Sequence, residues 1–153
     1  MKPVAGEYLN LTGMKRTDTM RTREQIRSEF ALNRIALFGE KIKKDDASFI
    51  VGLPTMIITN GLGQTLAFLL SKNPNSSSKE KSDKHSLCFT IIKELLTDND
   101  LGIKVLRGKK LNDREFVAEV AKLDLKDYTN AQLETIKFLS WLKRYARAFQ
   151  KED

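Results

Sequence analysis

Apolar positions along this chain recur every three or four residues rather than alternating, a spacing that predicts helices and no strands. Ile26, Phe30 and Leu37, with Phe38 and Ile42 beside them, mark a first helix from about Thr22 to Ile42. Thr22 and Gln25 stand at capping-box spacing at its start, where each side chain satisfies a free amide of the first turn. Short connections lead to a helix opening at Pro54, where a missing amide costs nothing, and continuing to about Ser71. A third helix passes through Leu87 to Leu96 and stops near Asp98-Asn99-Asp100. Asn112 or Asp113 caps a shorter one through Phe116, Val117, Val120 and Leu123. Thr129 and Gln132 repeat the capping-box spacing ahead of a last helix that reaches about Gln150. The fold this predicts is all-α, a compact bundle of about five to six helices.

Two stretches break the pattern. Residues 1–20 hold no continuous apolar run and carry Gly6, Asn10, Thr12 and Gly13, which reads as a flexible segment ahead of a single helical-bundle domain over 21–153. Residues 73–85 are polar and serine-rich, which predicts a mobile loop between two helical halves.

Ala47 to Ser71 runs 25 residues without a charge, long enough to raise the question of a membrane span. Only 14 of them are apolar, and the rest include Pro54, Asn60, Gly61, Gly63 and Gln64, so a buried central helix fits better. Asn60 and Gln64 lie one turn apart on it, which predicts buried amides bound to a neighbouring backbone. Gly61 and Gly63, each about 1 kcal/mol worse than alanine in a helix, predict the close approach of another segment. Gly61-Leu62-Gly63-Gln64-Thr65-Leu66 lacks the third glycine and preceding strand of a dinucleotide fingerprint. It also lacks the Gly-Lys-Ser/Thr ending of a P-loop, so no nucleotide cradle is expected.

Charge adds a direction. Lysine and arginine number 27 against 20 acids in 153 residues, a net of +7, which favours an anionic partner and nucleic acid first. The single cysteine excludes an internal disulfide framework and predicts a reducing, cytoplasmic setting. No block of five like charges occurs, so folding must assemble any basic surface.

On a helical wheel Arg23, Arg27, Arg34 and Lys41 fall within about 40° of one another, a stripe suited to a phosphate backbone. The competing reading is that these long side chains only border the apolar face made by Phe30 and Leu37. Lys137, Arg144 and Arg147, with Lys143 beside them, form a second candidate RNA face; the helix dipole alone also favours cations so late in a helix. Arg107-Gly108-Lys109-Lys110 reads as a solvated turn. Trp141, Tyr145 and Phe149, spaced by four, are expected in the core rather than as a base-stacking ladder.

Catalytic chemistry is thin. His85 and Cys88 alone make no metal site, and Cys88 between Leu87 and Phe89 reads as an inert buried thiol. Asp45-Asp46 and Asp98-Asn99-Asp100 read as caps or turns. No catalytic residue, metal or cofactor is expected.

Leu53-Pro54-Thr55-Met56-Ile57-Ile58-Thr59-Asn60-Gly61-Leu62-Gly63-Gln64-Thr65-Leu66-Ala67-Phe68-Leu69 resembles the signature of the small-subunit family of Cmr-type (type III-B) CRISPR effector complexes. That pattern is Leu-Pro, a few apolar residues, Asn-Gly-Leu-Gly-Gln-Thr, a small residue and Phe. Phe138 to Ala146, centred on Trp141, is similar to the family's closing helix, and the likeness covers about Thr22 to Phe149. The resemblance implies a non-catalytic helical bundle that stacks in several copies along the groove holding guide RNA paired with target RNA, in antiviral defence. Its implied partners are guide RNA, target RNA, other Cmr-type effector subunits and further copies of itself, with no membrane and no cofactor. Cleavage would belong to other subunits. The basic stripes above come from the residues, not from the family pattern. Two other readings stand beside this one: a pure protein scaffold in such a complex without RNA contact, and an unrelated helical nucleic-acid-binding domain.

Overall fold

The computed structural model describes residues 20–72 and 83–152, with the backbone of two short strands, Glu7–Tyr8 and Arg16–Thr17, paired antiparallel. The rest of the expected flexible segment before Met20, and residues 73–82 of the expected loop, lie outside the described residues. Among the described residues six α-helices follow: α1 (Arg23–Ile35), α2 (Lys44–Asn60), α3 (Leu62–Ser71), α4 (Lys84–Thr97), α5 (Asp113–Lys122) and α6 (Leu125–Ala148). The fold is all-α, as the periodicity predicts, and no described helix is long and apolar enough to cross a membrane.

Caps decide most of the helix starts. Thr22 and Gln25 close the expected capping box on α1, with N–H···O distances of 3.0 and 2.8 Å. Asn112 and Glu115 do the same for α5, and Asp83 and Asp124 accept from the first turns of α4 and α6. Thr129 therefore lies inside α6, not at its start, because Asp124 already captures the Asp127 amide at 2.8 Å.

The first helix ends earlier than its apolar spacing predicts. After Ile35 the chain tightens into a 3-10 turn over Ala36–Phe38, and Gly39, at φ 105°, takes it out of the helical region. Ile42 then lies in extended backbone: its N–H donates to Phe149 O at 2.9 Å and its carbonyl accepts from Lys151 N–H at 2.8 Å. That short parallel bridge ties the start of α2 to the end of α6.

The uncharged window is two helices rather than one. Pro54 sits inside α2 instead of opening a helix. A mid-helix proline costs about 3 kcal/mol, but Ala47, Ile50, Leu53 and Ile57 are all fully buried along α2 and hold it through the defect. Asp45 and Asp46 fall in its first turn, where the helix dipole favours carboxylates. Gly61, at φ 88° and ψ 161°, breaks the run and starts α3 in a new direction.

α6 is the spine of the bundle, packing along both α1 and α2. Contacts between α1 and α6 climb together, Glu24 with Trp141 and Ser28 with Tyr145, so the two helices run parallel. Phe30 meets Phe138 edge-on at 5.6 Å in the core beneath them.

Candidate nucleic-acid interface

Between α4 and α5 the chain forms an irregular but firmly anchored loop. Asp98 accepts from the Asp100 and Leu101 amides at 2.9 Å each, an Asx turn that agrees with the reading of this acidic triplet as a turn. Ile103 N–H reaches back to Leu96 O and Gly108 N–H to Thr97 O, while Leu101, Ile103 and Leu106 are buried. Pinned from beneath, the loop presents Lys104 and Arg107 outward, and Arg107 Nε donates to Gly102 O at 2.9 Å.

Arg23 on α1 faces this loop. Its guanidinium donates to Leu101 O at 3.0 Å, to Asp100 O at 3.4 Å and to Glu134 at 3.2 Å. The third wall is α6, where Lys126, Asn130, Leu133 and Lys137 recur at helical spacing. Together they enclose an open groove of about 490 Å³.

Its floor is a buried ion pair. Arg27, 5% exposed, donates to both oxygens of Glu134, 6% exposed, at 2.7 and 2.9 Å, and its Nη1 reaches Glu24 at 2.6 Å. Hydrogen bonding to Glu134 holds the guanidinium above its ordinary pKa despite burial. Six basic side chains thus line the groove against two carboxylates, Asp127 and Glu134, and both oxygens of Glu134 already accept from Arg27 or Arg23. The rim carries a clear positive excess on Lys104, Arg107, Lys126 and Lys137.

The residues expected from sequence are dispersed. Arg23 and Lys137 line the groove. Arg27 does too, but it is 5% exposed and all three of its side-chain nitrogens bond Glu134 or Glu24, so it makes the floor of the groove rather than its rim: burial and a bidentate carboxylate outweigh its place on the wheel. Arg34 turns to α4, pairing with Glu94 at 2.7 Å and lying 3.9 Å over the Phe30 ring. Lys41 falls beyond α1 in the exposed link to α2, so the four-residue stripe is not continuous. Lys143, Arg144 and Arg147 lie further along α6 and do not line the groove; Arg147 bonds Gln150 at 2.6 Å. Lys104 and Lys126 are absent from the basic stripes that the sequence suggests, and Arg107 belongs to a turn expected to be merely solvated. The spacing of eleven from Lys126 to Lys137 marks one helix face, a signal hidden by starting that helix at Thr129.

The Leu53 to Leu69 motif has a structural explanation. Leu53 is buried and Pro54 partly so. Asn60 and Gln64 are exposed rather than buried, correcting the expected amide clamp: the break at Gly61 rotates both toward solvent. The clamp comes instead from α6, where Gln132 Oε1 accepts from Leu62 N–H at 2.9 Å and Tyr128 Oη from Gly63 N–H at 2.8 Å. A Cβ at Gly63 would stand 3.3 Å from Tyr128 Oη, the close approach that its presence predicts. Thr65 is fully buried, and its hydroxyl is without a hydrogen-bond partner among the described residues.

The aromatic stripe expected in the core lies at its edge: Trp141 and Tyr145 pack against the core, and Phe149 does not. Trp141 and Tyr145 are half-buried and Phe149 is 38% exposed. The rings stack in sequence at 6.1 and 6.2 Å along the seam with α1. Trp141 Nε1 donates to Glu24 at 2.7 Å, and this bond is the main reason the Glu24 carboxyl sits below its usual range. Tyr145 shares a 2.6 Å hydrogen bond with Ser28. Elsewhere, His85 packs between Phe49 and Phe68, and burial raises the Cys88 thiol well above its ordinary pKa, in keeping with an inert thiol.

A family model described as CRISPR-associated protein (Cas_Cmr5) matches residues 23–149. The match begins at the first residue of α1 and ends just past α6, so it takes in both the Gly61 break and every wall of the basic groove.

Proposed function

The chain belongs to the Cas_Cmr5 family and is a small subunit of a Cmr-type (type III-B) CRISPR effector complex; from that premise we propose that it is a non-catalytic structural subunit that contacts the RNA backbone along the guide–target groove in antiviral defence. The observation that carries this reading is the rim of Lys104, Arg107, Lys126 and Lys137, with Arg23 beside them, gathered from three separate parts of the chain around one groove.

Such a rim suits phosphate. Arg23 and Arg107 are steadied by carbonyl oxygens and keep further donors for a phosphate oxygen, while the lysines act as point charges. Backbone contacts position an RNA without reading its sequence, so binding is indifferent to guide sequence, as a subunit serving many guides requires. A few such contacts bind weakly per copy, and several copies stacked along one RNA multiply their grip.

The test replaces Lys104, Arg107, Lys126 and Lys137 together by glutamine. All four side chains lie at exposed positions, so far-UV circular dichroism and thermal stability should match the parent. RNA affinity should fall, and the slope of log affinity against log salt should shrink by about 0.7–0.9 for each phosphate no longer neutralised. An unchanged affinity and slope would take this groove out of the RNA surface. Footprinting a reconstituted effector with and without the chain adds the other arm: a pure scaffold leaves the RNA equally exposed in both.

A further inference from the structure

Where α1 and α6 run side by side, on the stripe bearing Trp141, apolar surface is left uncovered. Arg21, Glu24, Gln25, Ser28, Glu29 and Leu32 on the α1 side of the seam, with Trp141, line a shallow groove of about 390 Å³. Leu32 is 43% exposed, Phe149 ends the stacked ladder at 38%, and Met20, where the described chain enters α1, is 89% exposed. From Arg21 to Leu32 the groove follows eleven residues of chain, about 16 Å at helical rise. Its charged lining is two carboxylates against one arginine, a balance that disfavours a phosphate backbone.

We infer that this groove is the docking site of the chain's own residues 1–19. The tether is in the right place, because this segment joins the bundle at Met20, at the mouth of the groove beside Arg21. Its reach is sufficient. Arg16–Thr17 pairs antiparallel with Glu7–Tyr8, which sets the 7–8 strand beside a strand that ends three residues before Met20. Three residues of extended chain plus one strand spacing bring the 7–8 strand within about 16 Å of that point, the length of the groove. Its composition fits as well: Val4, Tyr8, Leu9, Leu11 and Met14 supply apolar side chains. Lys2, Lys15 and Arg16 against Glu7 and Asp18 leave it at +1, which a lining of two carboxylates and one arginine does not repel. A bound segment would shield Trp141 and Leu32 together and leave the basic groove open.

A photoactivatable benzophenone residue in place of exposed Leu32, in the full chain, tests this directly. Irradiation should yield an intramolecular cross-link that peptide mapping places within residues 1–19. Cross-linked dimers would assign the groove to a second copy, and a cross-link formed only to an added RNA oligonucleotide would make it a nucleic-acid face. Cross-links confined to α1 and α6 would show it open. Each of these three outcomes overturns the proposal. A second readout uses Trp141, the single tryptophan: a chain beginning at Met20 should be quenched by acrylamide about twofold more strongly than the full chain, unchanged over about a hundredfold dilution. Equal quenching, or protection that disappears on dilution, would also overturn it.

Discussion

Replacing Arg27 by alanine should cost this protein a substantial part of its stability without touching any exposed RNA contact. The Arg27 side chain meets Glu134 at 2.7 and 2.9 Å and Glu24 at 2.6 Å, and Arg27 and Glu134 are 5% and 6% exposed. Removing one partner of a buried pair strands the other charge, a loss of about 3–5 kcal/mol. Here Arg23 still reaches Glu134 at 3.2 Å, and the groove admits water above the pair, so the lower figure applies. For a domain of this size, about 3 kcal/mol lowers the melting temperature by roughly 6–12 °C. The double variant Arg27→Met, Glu134→Leu removes both charges and should recover most of the loss, because the desolvation penalty disappears with the pair. Thermal and urea unfolding of the parent, both single variants and the double give the coupling energy directly. A melting temperature for R27A within about 2 °C of the parent, or a double variant as damaged as the sum of its singles, would refute the assignment of Arg27 to the fold. Charge reversal along Arg23, Arg27 and Arg34 is consequently a poor probe of RNA binding, since a glutamate at Arg27 would face Glu134 and Glu24 and destabilise the fold itself.

Two further substitutions test the Asn60–Thr65 motif. Thr65→Val removes a fully buried hydroxyl that has no partner among the described residues and should stabilise by about 1 kcal/mol. A melting temperature below the parent's would mean that the hydroxyl is hydrogen-bonded after all. Gly61→Ala forces a side chain into φ 88°, ψ 161°, a region almost reserved for glycine, and should cost about 1–3 kcal/mol in urea denaturation. The nearest atom to its Cβ is Tyr128 Oη at 3.6 Å, so the cost is one of backbone rather than of crowding; a neutral result would place the break between α2 and α3 elsewhere.

Much of the fold is legible in the sequence because helix formation is local. Apolar spacing of three and four marks buried faces wherever the helix runs, and it finds α4, α5 and the body of α6 from residues a few places apart. Caps are equally local, and Thr22 with Gln25 is seen where the sequence places it. Errors cluster where a distant partner outweighs a local preference. Pro54 looks like a helix start, yet burial of Ile50, Leu53 and Ile57 carries α2 through it. Asn60 and Gln64 look like buried amides, yet Gly61 turns them outward and Gln132, seventy residues from Leu62, makes the clamp.

The candidate site shows the same division more sharply. Residue order alone specifies an all-helical, net-positive chain and the motif around Gly61 that places it in its family. It also specifies that no dense basic tract exists, so any RNA surface has to come from folding. Which charges are free is a matter of packing. Arg27 and Arg34 share a wheel sector with Arg23, but Glu134 and Glu94, 107 and 60 residues away, claim them. Lys104, Arg107, Lys126 and Lys137 instead converge around one groove, whose carboxylate Glu134 is already taken by Arg27 and Arg23. A wheel records angle about one axis, whereas the fate of a charge depends on which carboxylate another helix brings within reach, and long-range packing alone determines that.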